Sequence, residues 1–269
     1  MIDFLDFDFM RRALFAGALV GLAAPSIGIY LVQRRLALMG DGIGHVTFMG
    51  VAVGLALGLW PVPAAIVFAI AGATTIELLR RRGKTASDVA LALVFYAGIA
   101  GGVLFLGMGN VSNIAVNSFL FGSVLTVSGE DLVIVSVVAI VALAVSLVLR
   151  KHLFAISYDE EMARVSGLPV GRLNLLIACL AAVTVAVTAK VVGILLVSAM
   201  LVLPVAAAQQ ISHSFAATFR LSLVMGVIST TTGLVVAFYT DQFPAATIVL
   251  VSIGLFVMTS AIRRFGVVR

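Results

Sequence analysis

LVIVSVVAIVALAVSLVL, residues 132–149, contains no charged side chain and ends against Arg150 and Lys151. A bilayer's hydrocarbon core, near 30 Å thick, takes about 20 apolar residues of helix. This run therefore reads as a membrane span with a basic stop. The same ruler carried outward divides the chain into eight or nine segments, near 13–32, 36–59, 62–79, 89–108, 132–149, 173–190, 193–209, 220–239 and 245–262. Composition agrees, since 62% of the 269 residues are hydrophobic and 11% charged, against about 45–50% and about 25% in soluble domains. The expected fold is all-α, a polytopic membrane helical bundle. Too little polar sequence lies between the runs for a separate soluble domain, so residues 1–269 are expected to form a single transmembrane domain.

The formal charge of +5 comes from arginines and lysines at the ends of apolar runs, which marks topology and not a nucleic-acid partner. Arg34-Arg35, Arg80-Arg81-Arg82 with Lys84, Arg150-Lys151, Arg164 with Arg172, and Arg263-Arg264 mark the cytoplasmic side. Nine crossings with a cytoplasmic C-terminus fit this pattern and leave Arg11-Arg12 outside. The acidic start, Asp3, Asp6 and Asp8, lacks the basic leading region of a cleavable signal peptide. Cys179 stands alone, so neither a disulfide framework nor a thiolate metal cluster is expected. Between Asn110 and Gly129, NVSNIAVNSFLFGSVLTVSG is polar at one end and apolar at the other, which predicts a re-entrant or interfacial helix. Glycines spaced by four, at Gly17 and Gly21, at Gly50, Gly54 and Gly58, and at Gly98 and Gly102, predict close helix contacts within one subunit or across a homodimer.

Chemistry concentrates in Met39-Gly40-Asp41-Gly42-Ile43-Gly44-His45-Val46. Ionisable residues at membrane depth are costly and mark functional sites. Asp41 and His45 are four apart, so one helix face presents a carboxylate and an imidazole to a single ion. Zinc, manganese and ferrous iron all accept that pair. Two ligands are an incomplete site, which suits an ion that must leave again. The three glycines predict a broken helix there. The alternative reading makes Asp41 a helix cap and lets His45 donate to a backbone carbonyl. Elsewhere Glu77 is expected to pair with Arg80 or Arg81, and Lys190 to snorkel to the interface. His152 and His213 are expected in loops, and Asp241 facing outside.

No catalytic residue and no permanently bound cofactor are expected. Gly83-Lys84-Thr85 imitates the end of a phosphate-binding loop, but Leu78 stands where that loop needs its first glycine. Energy would then come from a partner ATPase or from an ion gradient. An intramembrane metalloenzyme is disfavoured because the chain has no HExxH. In the connection from Arg150 to Arg172, Glu160 stands four residues before Arg164, and Gly167 and Pro169 follow. A short amphipathic helix is predicted, either a solvated linker or a lever for an ATPase.

GDGIGH at 40–45 and DEEMARVSGL at 159–168 resemble the permease family of bacterial zinc and manganese ABC importers, as do VVGILLVSAMLVLPVAA at 191–207, NSFLFGSVLTVSGEDL at 117–132 and PAATIVL at 244–250. The resemblance implies a homodimeric multi-pass permease of the bacterial cytoplasmic membrane, served by an extracytoplasmic metal-binding protein and two cytoplasmic ATPase subunits. It implies that Asp41 and His45 coordinate the transported metal. It also implies that Asp159, Glu160, Glu161, Arg164, Gly167 and Leu168 belong to a helix that docks in the ATPase. Gly42, Gly44 and Val46 look more like the zinc branch, with manganese or iron as the other candidates. The alternative from a different class is a gradient-driven secondary carrier with Asp41 as a proton relay, although no inverted repeat of the kind common in such carriers is evident.

Overall fold

The structure is a computed structural model that describes residues 7–81, 87–109, 111–122 and 128–265. The Gly83-Lys84-Thr85 stretch and residues 123–127 lie outside these described residues. Among them the chain is helical throughout, with α1 (Asp8–Gln33), α2 (Met39–Ala56), α3 (Pro61–Arg81), α4 (Ser87–Met108), α5 (Asn113–Phe121), α6 (Gly129–Val148), α7 (Arg150–Tyr158), α8 (Glu160–Val165), α9 (Val170–Val192), α10 (Val197–Ile211), α11 (Phe215–Thr240) and α12 (Pro244–Arg264). Helices predominate because lipid offers the backbone no hydrogen-bond partner. Eight of them, α1 to α4, α6, α9, α11 and α12, are long and apolar enough to cross a membrane. The ninth expected segment becomes α10, a 15-residue helix containing Pro204. At 1.5 Å per residue it is about 22 Å long, and it is entered through a non-helical turn at 193–196.

The stretch near 110–129 yields α5, nine residues long. Such a helix spans only about 13 Å, less than half of a bilayer core. Its end docks on the α9–α10 junction, where Ile194 N–H donates to Phe119 O at 2.9 Å. Gly122 and Gly193 meet there, both at positive φ, and a Cβ on either would sit 2.6 Å from a carbonyl oxygen of the other segment. Only glycine suits both the conformation and the gap.

α1 lies at the centre, against α6, α9, α10 and α11. Small residues make this possible, because lipid supplies no hydrophobic drive and packing depends on close approach. Gly21 rests on the backbone of Gly226, Gly50 on α3, and Gly98 on the backbone of His45. These glycine faces therefore serve contacts within one subunit. Two buried polar contacts tie α1 to α6: Tyr30 donates to Ser146 O at 2.9 Å, and Ser146 Oγ to Ser26 O at 3.1 Å. The described members of the basic clusters gather at one end, where Arg263 reaches Gln210 at 3.0 Å and Arg81 bonds Gly171 O.

At the other end Lys190 does not snorkel. It forms an ion pair with Asp131, which also accepts from Ser128 N–H and Oγ–H at the start of α6. The capping box of α6 supplies the counter-charge that the interface was expected to hydrate.

Candidate metal and coupling sites

Asp41 stands in the first turn of α2, and Leu38 provides no side-chain cap ahead of it. A carboxylate at that position is favoured by the helix dipole. The helix continues unbroken through Gly42 and Gly44 to Ala56, contrary to the break that three glycines suggested. The glycines are used for packing instead. A Cβ on Gly40 would meet Ser198 at 3.1 Å and one on Gly44 would meet Ile194 O at 3.4 Å, so α2 lies directly on the junction before α10. The non-helical backbone belongs to 193–196, beside the acid and not beneath it.

Ser198 Oγ–H donates to Asp41 Oδ1. Among the described residues no other donor reaches this carboxylate, which leaves Oδ2 open. His45 Nδ1 lies 2.8 Å from Asp41 O. A carbonyl oxygen only accepts, so Nδ1 carries the proton, and in the neutral ring Nε2 keeps its lone pair. That is how a metal-binding imidazole is commonly oriented, its other nitrogen tied to a carbonyl. The backbone bond foreseen in the alternative reading is therefore present, and it leaves Nε2 without a hydrogen-bond partner among the described residues. The His45 ring also lies 4.1 Å from that of Phe95 on α4.

Asp41 and His45 are both half-buried. Asp41 lines a cavity of about 220 Å³ with Leu38, Gly42, Asp88, Leu91, Phe95 and Tyr96, between α2 and α4. No group of three or more His, Cys, Asp or Glu side chains able to hold a metal occurs among the described residues. His152 lies in α7 and not in a loop, and His213 lies in the turn before α11. One helix thus carries a carboxylate oxygen and an imidazole nitrogen that have no hydrogen-bond partner among the described residues, ligand types that zinc, manganese and ferrous iron accept. Ser198 was missed as a partner, although it falls inside the VVGILLVSAMLVLPVAA stretch.

The second candidate region is built around α8. Asp159 caps it, accepting from Met162 N–H at 2.9 Å. Gly167, at φ +80°, closes it: Gly167 N–H donates to Arg164 O and Leu168 N–H to Ala163 O, both at 3.1 Å. This paired closure is the Schellman motif, for which glycine is the usual residue. Leu168 packs against the core, while Glu161, Met162, Arg164 and Val165 face outward. Glu160 turns inward. It pairs with Arg34 at 2.8 Å and with Arg164 at 3.3 Å. Burial pulls the Arg34 guanidinium below its ordinary value and Arg80 adds to the shift, while Glu160 and Glu77 oppose it. Glu77 is itself held by both Arg80 and Arg81, at 2.7 and 3.1 Å.

Comparison with known proteins gives this arrangement a context. The model of a family described as the ABC 3 transport family matches residues 6–263. A Treponema pallidum protein named "Probable metal transport system membrane protein" is 32% identical, covering 97% of this chain and 98% of that one. The Halalkalibacterium halodurans manganese transport system membrane protein MntC is 29% identical over 94% of this chain and 87% of its own. The Haemophilus influenzae high-affinity zinc uptake system membrane protein ZnuB is 24% identical over 94% and 97%. Among solved structures, PsaBC from Streptococcus pneumoniae in complex with Fab superposes with a TM-score of 0.86 and 29% identity, covering 96% of this chain and 95% of that chain.

Proposed function

Since this chain belongs to the ABC 3 transport family, we propose that it is the membrane-spanning permease of an ATP-driven importer of divalent transition metal ions, with zinc the preferred cargo and manganese or iron the alternatives. The observation that carries this reading is the pair on α2. Asp41 keeps one carboxylate oxygen open, and His45 keeps Nε2 open, on one half-buried face.

The mechanism follows from what each group can do. Two ligands from one chain hold a cation weakly, and a closed zinc site takes four. A second copy of the chain, related by a twofold axis, supplies the other two. Four ligands offset the cost of desolvating two carboxylates more fully than two do. Ser198 takes one oxygen of Asp41 and steers the carboxylate toward one-oxygen coordination. A metal delivered by an extracytoplasmic binding protein sits between the paired α2 faces and is released inward when the site separates.

The chain itself hydrolyses nothing in this scheme. The outward face of α8, with Glu161, Met162, Arg164 and Val165, is where each of two cytoplasmic ATPase subunits docks, and Asp159, Gly167 and Leu168 fix that helix's start, stop and seat on the bundle. ATP-driven closure of the ATPases moves α8 and alternates access to the site.

The test is uptake of zinc and of manganese by the permease, its ATPase and its extracytoplasmic binding protein, reconstituted in liposomes. Wild type is expected to accumulate metal only with ATP, and Asp41→Ala and His45→Ala to lose uptake while still assembling. Wild-type accumulation by the permease alone under an ion gradient would replace this reading with a secondary carrier. Normal accumulation in either variant would remove that residue from the path.

A further inference from the structure

Resting on the import reading above, we propose that Arg34 is a positioning residue that carries displacement of α8 into the turn between α1 and α2, and so to Asp41 and His45. The link starts at Glu160, the one carboxylate of α8 that turns inward. Its Oε2 receives Arg34 Nη2 at 2.8 Å across 126 residues of sequence. The Arg34 side chain is only 6% exposed, whereas Glu160 is 35% exposed. A docking protein therefore reaches Glu160 and its helix, but Arg34 only through them.

From Arg34 to Asp41 the chain has no slack. Arg35 takes up a left-handed conformation, φ +59°, which a side chain with a Cβ rarely adopts. Arg35 N–H donates to Val32 O at 3.0 Å and Leu36 N–H to Leu31 O at 2.8 Å, the same paired closure that ends α8. Leu36 and Met39 are then buried, and Met39 and Asp41 N–H groups close on Leu36 O and Leu38 O at 3.0 and 3.1 Å. Backbone held in a sparsely populated region persists only where its surroundings over-determine it. The turn is thus a rigid elbow, anchored by Arg34 on one side and opening directly into the helix that bears Asp41 and His45 on the other.

A buried ion pair is weak evidence for stability, and its best-attested use is to fix register between elements. Here the elements are the helix exposed to the cytoplasm and the elbow of the metal-bearing helix. Arg81, bonded to Glu77 and to Gly171 O, ties α3 to the start of α9 but touches neither α8 nor α2 through those bonds. Among the described residues, the Arg34–Glu160 contact is the side-chain hydrogen bond of α8 that leaves for the α1–α2 region.

The test uses the whole transporter, permease with its ATPase and extracytoplasmic binding protein, in liposomes with zinc and separately with manganese. The readout is metal imported per ATP hydrolysed, a ratio that an indifferent surface charge does not move. Arg34→Gln is expected to lower this ratio about fivefold or more, the lower bound of a typical coupling between sites, while the ATPase still copurifies. Arg34→Lys keeps the charge and is expected to recover most of the ratio. Glu160→Gln is expected to lower the ratio as Arg34→Gln does. An unchanged ratio in Arg34→Gln overturns the proposal. Failure of both glutamine variants to assemble also overturns it, because the pair is then a folding element. Absence of any metal uptake by wild type would instead sink the import reading, before the variants are compared.

Discussion

Replacing Lys190 by Met should weaken the bundle measurably and in a way that a second substitution reverses. Lys190 is in the last turn of α9, three residues before the Gly193 junction, and its ammonium pairs with Asp131 at the start of α6. The carboxylate is 5% exposed and the ammonium 21%. Removing one member of a buried pair costs about 3–5 kcal/mol, because the other charge is left uncompensated. Here the loss is smaller, since Asp131 keeps donors from Ser128 N–H at 2.8 Å and Oγ–H at 2.6 Å. Two retained hydrogen bonds to a charged group offset part of the penalty, which leaves about 2 kcal/mol for Lys190→Met. Adding Asp131→Asn removes the stranded charge, so the double variant should regain more than half of the loss. Unfolding of the purified permease in mixed micelles, titrated with a denaturing detergent and followed by circular dichroism, measures both. A Lys190→Met protein within about 0.5 kcal/mol of wild type, or a double variant no more stable than the single, would refute the claim that this pair is effectively desolvated.

Three further outcomes are expected. Ser198→Ala removes the donor on Asp41 Oδ1 and should raise the metal concentration needed for half-maximal uptake about tenfold, the low end of what an outer-shell partner contributes, with Ser198→Thr closer to wild type. Gly167→Ala forces a Cβ into φ +80° with no neighbour within 4 Å to clash, so it should cost about 1 kcal/mol of local stability, read as faster hydrogen exchange at Leu168 N–H. Arg35→Gly relieves the left-handed strain at φ +59° and should leave the melting temperature unchanged or slightly higher, because the gain of about 1 kcal/mol is partly offset by glycine's added freedom when unfolded.

The spans were readable because each is a local property. A run such as 132–149 announces itself by length and by its basic end, and α6 follows it closely. Asp41 and His45 were readable as a pair because four residues of helix put them on one face. The tertiary partners were not. Ser198 lies 157 residues from Asp41, Lys190 lies 59 from Asp131, and Arg34 lies 126 from Glu160. No local period connects such residues. A weaker signal existed for Lys190 and Asp131, since opposite charges at the outer ends of two spans are each costly alone and invite pairing. The glycines around Asp41 misled because loss of helix propensity and need for close packing select the same residue. Here packing against Ser198 and Ile194 prevailed, with the helix intact.

The elbow between α1 and α2 sets a limit on how this part of the chain can vary in length. Leu36 and Met39 are both buried and Met39 N–H closes on Leu36 O at 3.0 Å, so inserting a single residue between Arg35 and Met39 would break that closure and displace the start of α2, which bears Asp41. Evolution can therefore lengthen or shorten an outer connection such as 57–60, but an insertion or deletion at 35–38 would have to come in compensated form or be lost.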